Sequence, residues 1–286
     1  MTQPTGGAPG SASLGEGRVA EMFARTRAEG RPALIPFIPA GWPELDATVE
    51  IVLAAVEGGA DAVELGMPFS DPLGDGAVNQ QAYEQAIAAG CTPETVFDIV
   101  RELRSRGVRI PLLVMGYFNP VLAYGVGRFV QAAADAGVDG FIIVDLPPQE
   151  AAELEVPARA AGLHMVYLLA PTSTDERIRL VAEHGSGFIY CVSVVGITGE
   201  RPELSAELPE FIGRVRARTE LPLAIGFGIS GRAHVQAVGA LADAAVVGSA
   251  FVRTVAATPV DQRSDAVRAF VEEITGREPG HRPAAG

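Results

Sequence analysis

Glu64 and Asp75 are the residues of this chain best placed by type and spacing to do chemistry. Glu64 closes a short apolar run, 61–65, that reads as a strand. The chain then breaks into Gly66-Met67-Pro68-Phe69-Ser70-Asp71-Pro72-Leu73-Gly74-Asp75-Gly76, dense in the residues that set turns. One acid therefore sits at the end of a rigid element and the other on a longer tether. Two carboxylates held at different stiffness can face a substrate from different sides. Their environments can also push their pKa values apart, so that one works as acid and the other as charge. Asp71, which precedes a proline, reads more plainly as a turn or cap residue. Glu is a poor turn residue, so Glu64 lacks that plain alternative.

Absences narrow the chemistry. The 286 residues contain no lysine, and all 22 cations are arginine. An imine-forming lysine and a covalently anchored pyridoxal phosphate are both excluded. His164, His184, His234 and His281 are scattered, without the spacing of a metal site. Cys91 and Cys191 form no paired motif and read as two reduced thiols. What remains is chemistry by carboxylates, hydroxyls and backbone dipoles. A net charge of −13 argues against nucleic acid or an anionic membrane as partner. No apolar run approaches a membrane span. Residues 1–17 lack the apolar core of a signal peptide and read as a flexible tail, as do 276–286. The location expected is cytoplasmic.

The elements that must hold these acids alternate. Apolar strand candidates fall at 33–38, 62–65, 110–115, 140–144, 165–169, 188–192, 223–225 and 245–247. They are nearly continuous apolar runs, as strands buried on both faces should be. Between them lie helical patterns at 45–57, 95–106, 127–136, 149–161, 175–184 and 206–218, and one more, 18–27, precedes the first strand. Thr92, Pro93 and Glu94 make a good helix start. Eight strand–helix units predict a single α/β domain over 18–275, a (β/α)8 TIM barrel with an extra N-terminal helix. A doubly wound sheet is the alternative, but the first strand runs into Pro39, Ala40, Gly41 and Trp42 without that fold's glycine fingerprint.

In such a barrel, function gathers at the C-terminal ends of the strands. There lie Phe37, Glu64, Tyr117, Asp145 and Tyr190. The loops after the last two strands, GFGIS at 226–230 and GSA at 248–250, suit a phosphate: glycine admits backbone N–H groups and a helix N-terminus follows. Gly228, Gly248 and the Ser249 hydroxyl are the donors expected. The long segment 192–202, which carries Thr198 and Gly199, reads as a lid, with Gly199 adding a donor. Phe37, Met115 and Ile142 suit an apolar pocket for a flat ring.

Together these segments resemble the tryptophan synthase alpha chain family over roughly 33–252. The motifs are LIPFIPAG (34–41), Glu64 through PFSDP (68–72) to Asp75-Gly76, MGYFNP (115–120), VDLP (144–147), LAPT (169–172), GITG (196–199), GFGIS (226–230) and GSA (248–250). The two-acid loop is the specific part. The resemblance implies retro-aldol cleavage of indole-3-glycerol phosphate to indole and glyceraldehyde 3-phosphate, without imine or metal. It implies Glu64 as general acid and base, and Asp75 as acceptor of the indole N–H. Thr198 would bond Asp75 when the lid closes, and Tyr190 would support Glu64. Gly199, Gly228, Gly248 and Ser249 would hold phosphate. It further implies a beta chain as partner in an αββα heterotetramer, with Pro68, Asp71 and Asp145 on the facing side. Pyridoxal phosphate belongs to that beta chain, and no cofactor to this one. Two alternatives are a stand-alone lyase of the same family and a mainly allosteric regulatory subunit. The sequence departs from the common pattern at Val194, where many relatives carry Arg, and at Ala77-Val78-Asn79, which implies a differently stiff Asp75 loop.

Overall fold

The computed structural model describes residues 17–192, 207–226 and 228–277. Its strands are β1 (Ala33–Pro39), β2 (Val63–Gly66), β3 (Leu112–Gly116), β4 (Gly140–Ile143), β5 (His164–Val166), β6 (Leu168–Leu169), β7 (Ile189–Val192), β8 (Leu223–Gly226) and β9 (Ala244–Val247). All pair in parallel, in the order β5-β4-β3-β2-β1-β9-β8-β7-β6. The two ends of that series, β5 and β6, are halves of one extended segment separated by Tyr167. The series therefore bends round into a TIM barrel. The expected strand 165–169 is thus two strands. Val166 pairs back to β4, Leu168 pairs forward to β7, and Tyr167 between them sends its hydroxyl to Glu155 at 2.9 Å.

Helices cover the outside: α1 (Arg18–Ala28), α2 (Ala47–Gly58), α3 (Ala77–Ala88), α4 (Pro93–Ser105), α5 (Phe118–Tyr124), α6 (Val126–Ala136), α7 (Ala152–Ala160), α8 (Asp175–His184), α9 (Leu208–Arg216), α10 (Arg232–Gly239), α11 (Ser249–Ala257) and α12 (Arg263–Thr275). Thr92 caps α4 with a reciprocal Thr92–Thr95 box, and Pro93 opens it. The pattern expected at 149–161 is a short 3-10 turn, Pro148–Glu150, followed by α7. Helices α3, α5, α10, α11 and α12 lie outside the helical patterns named from the sequence. The buried stripe of α3 has true helical spacing, but its members are Asn79, Ala82, Tyr83 and Ala86, which do not read as an apolar face. Cys91 and Cys191 are both buried and unbridged.

Helix α1 closes the barrel floor. It buries Val19, Met22, Phe23 and Thr26, and Phe23 meets Phe188 edge-on at 5.9 Å. The floor has a repeating device. Asp61, Asp139, Ser186 and Asp243 precede β2, β4, β7 and β9, and accept an N–H at the start of β1, β3, β5 and β8 in turn. The four bonds are Leu34 to Asp61 at 2.9 Å, Leu112 to Asp139 at 2.7 Å, Met165 to Ser186 at 2.9 Å and Leu223 to Asp243 at 2.9 Å. These N–H groups begin a parallel sheet with few acceptors of their own, so the side chains supply them. Arginines complete the device: Arg25 and Arg31 on Asp61, Arg104 on Asp139, and Arg216 on Asp243. Burial alone would raise the Asp61 carboxyl. Arg31, the Leu34 N–H and Arg25 outweigh it and hold Asp61 below the ordinary carboxylate value.

Candidate active site

Glu64 sits in β2, level with Phe37 of β1 and Leu113 of β3. It is fully buried, and neither of its carboxylate oxygens has a hydrogen-bond partner. With nothing to stabilise a charge, burial pushes its pKa up to about 8. At neutral pH it is therefore a carboxylic acid with a proton to give.

Asp75 is also buried, but it is held by donors. Its Oδ2 accepts the Tyr117 hydroxyl at 2.7 Å and its Oδ1 accepts Asn79 Nδ2 at 3.3 Å. Burial raises its pKa, and these two donors work in the opposite direction. The loop that carries it is pinned at several points. Tyr117 Oη accepts the Gly74 N–H at 3.0 Å, Asp75 N–H donates to Pro72 O at 3.0 Å, and Gln80 Nε2 donates to Asp75 O at 2.8 Å. The Phe69 ring lies 5.4 Å from that of Tyr117. Gly74 is required by close approach: a Cβ there would stand 2.8 Å from Val144 Cγ1. Helix α3 begins two residues after Asp75, and its Asn79 reaches back to the carboxylate.

Around the two acids lie Phe37, Tyr83, Tyr117 and Tyr190, all buried. Tyr83 and Tyr190 both have phenols raised first by burial and then by the charges of Glu64 and Asp75, so the four groups share one low-dielectric space. Tyr83 meets Phe37 edge-on at 6.3 Å, and its hydroxyl has no partner. Tyr190 lies so tightly over β8 that a Cβ on Gly226 would stand 2.1 Å from its hydroxyl oxygen. Met115 and Ile142 are buried in the neighbouring strands.

Gly248 is the N-cap of α11, and Ser249 is the first residue of that helix. A Cβ on Gly248 would meet only Phe37 at 3.9 Å and Asn79 at 4.0 Å, which puts the mouth of the helix against the same enclosure. The first-turn N–H groups of α11 have no intrahelical acceptor, as an anion site requires. Gly228 adopts a left-handed φ of 80° with open space around it. Thr198, Gly199 and Val194 lie outside the described residues.

Pro68, Asp71 and Asp145 make no hydrogen bond to either acid among the described residues, although the charge of Asp145 is felt by Tyr117. Pro68 is half-buried. Asp71 is exposed, takes the Ser70 hydroxyl at 2.6 Å on its carboxylate and accepts the Leu73 N–H at 2.9 Å on its backbone oxygen. Asp145 accepts the Phe118 N–H at 2.8 Å and so caps α5. Leu73, on the same loop as Asp71, is 86% exposed. Sequence reasoning missed Asn79 as an Asp75 partner and Tyr83 altogether. The signal was the 79, 82, 83, 86 spacing.

Among the described residues no cluster of His, Cys, Asp or Glu is suited to a metal ion, and no helix is long and apolar enough to cross a membrane. The family model for "Tryptophan synthase alpha chain" matches residues 23–277. A tryptophan synthase alpha chain from Roseiflexus sp. is 49% identical over 259 residues, covering 91% of this chain and 99% of the relative. The tryptophan synthase of Saccharomyces cerevisiae is 43% identical over 89% of this chain, which spans 36% of that protein. A solved tryptophan synthase structure from Mycobacterium tuberculosis superposes with a TM-score of 0.84 at 35% identity, covering 91% of this chain and 98% of that one.

Proposed function

The chain belongs to the tryptophan synthase alpha chain family, and on that premise we propose that Glu64 and Asp75 are the two carboxylates that carry its reaction. The alpha chain is a carbon–carbon lyase that splits indole-3-glycerol phosphate into indole and glyceraldehyde 3-phosphate. The bond to be broken joins ring carbon 3 to a hydroxyl-bearing carbon. Carbon 3 leaves only after it is protonated, which places positive charge on the ring nitrogen. Glu64 gives that proton. Asp75 accepts the ring N–H and stabilises the charge. The Glu64 carboxylate then takes the hydroxyl proton as the C–C bond breaks, its electron pair returns to the ring, and the aldehyde forms. Glu64 ends as it began, protonated. General acid–base help of this kind is worth ~10²–10⁴-fold.

The observation that carries this reading is the contrast between the acids. Glu64 is buried without a donor and is held protonated up to about 8, whereas Asp75 is held between Tyr117 and Asn79. Phe37, Tyr117 and Tyr190 line the ring site. Thr198 closes on Asp75, and Gly199, Gly228, Gly248 and Ser249 hold the phosphate.

A beta chain is the partner. The assembly is an αββα heterotetramer in which Pro68, Asp71 and Asp145 face the beta chain, beside the exposed Leu73. Pyridoxal phosphate resides there, and this chain uses no cofactor of its own. With a net charge of −13 it serves neither nucleic acid nor membrane, and it works in the cytoplasm as one domain, 18–275, between tails 1–17 and 276–286.

The test is indole release from indole-3-glycerol phosphate, with and without a beta chain, for the wild type, Glu64→Gln and Asp75→Asn. Activity that rises with the beta chain and collapses in both variants supports the reading. Turnover that survives either substitution overturns it for that residue.

A further inference from the structure

Asn79 is a buried polar residue whose bonding is half complete. It is the third residue of α3, four after Asp75, and its Nδ2 donates to Asp75 Oδ1 at 3.3 Å. A carboxylate only accepts, so the amide is oriented with its nitrogen toward Asp75. Its oxygen is then directed elsewhere. That Oδ1 is buried and has no donor, in a side chain only 9% exposed. Buried carbonyl oxygens are normally satisfied, and an exception calls for an explanation.

The position of the amide supplies one. Its nitrogen stands 4.0 Å from where a Gly248 Cβ would be, beside Phe37, which would be 3.9 Å from that same point. The amide thus lies on the wall between the acid assigned to the ring nitrogen and the helix mouth assigned to the phosphate. The part of the substrate that spans this gap is the three-carbon chain, whose two hydroxyls are donors. Asp75 is engaged by Tyr117 and Asn79, and Phe37 is apolar; Glu64 serves the hydroxyl at the bond to be broken, which leaves the unpartnered Asn79 oxygen and the Tyr83 hydroxyl as acceptors for the other.

We propose that Asn79 joins the two halves of the site, fixing Asp75 through its amide nitrogen and accepting a hydroxyl of the substrate chain on its amide oxygen. Toward Asp75 it is a positioning residue, and toward the hydroxyl it is a binding residue. It takes no proton. The inference rests on the reading of Asp75 as the ring-nitrogen acceptor.

The test uses the full chain with a beta chain present, and compares the wild type, Asn79→Leu, Asn79→Asp and Asp75→Asn. The ligands are indole-3-glycerol phosphate and indole-3-propanol phosphate, which keeps the ring and phosphate but lacks both hydroxyls. Asn79→Leu should lower kcat about tenfold and raise KM for the glycerol substrate about fivefold. Its affinity for the propanol compound should stay within about twofold of wild type, because the lost bond is one that compound never makes. The acid limb of kcat should move up by about half a pH unit, since a donor to the carboxylate is gone. Asn79→Asp should move that limb further in the same direction, because a second negative charge then faces Asp75. Binding of the propanol compound also shows that each variant is folded. If Asn79→Leu does not fold, the acid limb of Asn79→Asp decides.

Equal loss of affinity for both ligands, or an unmoved pH limb, would overturn the proposal and leave Asn79 a packing residue. Full turnover by Asp75→Asn is a different failure: it removes the reading on which the inference stands, and it is read from a separate variant.

Discussion

The Tyr117 hydroxyl donates to Asp75 Oδ2 at 2.7 Å while accepting the Gly74 N–H at 3.0 Å. One phenol from the end of β3 therefore fixes both the backbone and the carboxylate of a loop that arises from β2. The charge assigned to the substrate nitrogen is positioned by a neighbouring strand, and the loop's own stiffness matters less.

Tyr117→Phe removes both bonds and leaves the ring that packs on Phe69. Activity should fall about tenfold, as the loss of one bond to a charged group implies. Tyr117 works to lower the Asp75 pKa against burial, so its loss raises that pKa. The carboxylate then needs a higher pH to form, and the acid limb of the kcat profile moves up. A kcat profile over pH 5–9 checks both the size and the sign.

Glu64 ties activity to stability in opposite senses. Its folded pKa of about 8 lies above its ordinary value of 4.5. Below about 4.5 the group is protonated in both folded and unfolded chains and contributes no difference. As pH rises from there through about 8, the unfolded state ionises freely and the folded state does not, so stability is lost. Glu64→Gln should therefore abolish indole release and yet raise the melting temperature. The gain should be on the order of 3–5 kcal/mol above pH 8 and should vanish toward pH 4.5. Thermal melts at pH 4.5, 7 and 9 test it; a variant less stable than wild type at pH 9 would refute the account.

Two glycines at the same end of the barrel should respond differently. Gly248→Ala meets no atom closer than 3.9 Å, so the fold should tolerate it. The new methyl would stand in the mouth of α11, and KM should rise about tenfold with little change in melting. Gly226→Ala would place a methyl 2.1 Å from the Tyr190 hydroxyl oxygen. That overlap should cost at least about 1–3 kcal/mol of stability. Melting and KM measured on both variants separate the ligand-facing glycine from the packing one.

On the floor, Asp61→Asn takes the buried charge partner from Arg31, leaving it only the exposed Glu29, and should cost about 3 kcal/mol near neutral pH. The Asp61 pKa is lowered on folding, so its contribution is present above the unfolded value and lost as pH falls through the folded one. The gap between variant and wild type should narrow as pH falls below the ordinary Asp value of 3.8. Urea midpoints across pH 3–7 measure it, and kcat of the folded variant should be unchanged.

The barrel and the two acids were legible because strands buried on both faces are apolar throughout and a Glu inside one stands out against them. Helix α3 was not, because its buried stripe is built from Asn79, Ala82, Tyr83 and Ala86, which mix polar, small and aromatic residues. The division of 165–169 at Tyr167 was also hidden. It depends on which neighbour each half pairs with, and side-chain type does not encode that. Nothing in the sequence marks Asp61, Asp139 and Asp243 as floor acceptors, since their partners are N–H groups 20–27 residues away.

Those floor contacts carry a consequence for how the chain can be cut and rejoined. Asp61, Asp139, Ser186 and Asp243 tie β2 to β1, β4 to β3, β7 to β5 and β9 to β8, and no corresponding side-chain bond joins β2 to β3, β4 to β5, β7 to β8 or β9 to β1 among the described residues. The barrel is thus stitched as four consecutive strand pairs. New termini opened between pairs, in the connection after β2 or after β4, leave every stitch within a continuous piece of chain. Termini opened between Leu34 and Asp61, or between Leu112 and Asp139, turn one stitch into a contact between distant ends. Tolerance to circular permutation should therefore alternate around the ring with a period of two strands, a modularity written into the end of the molecule that never meets substrate.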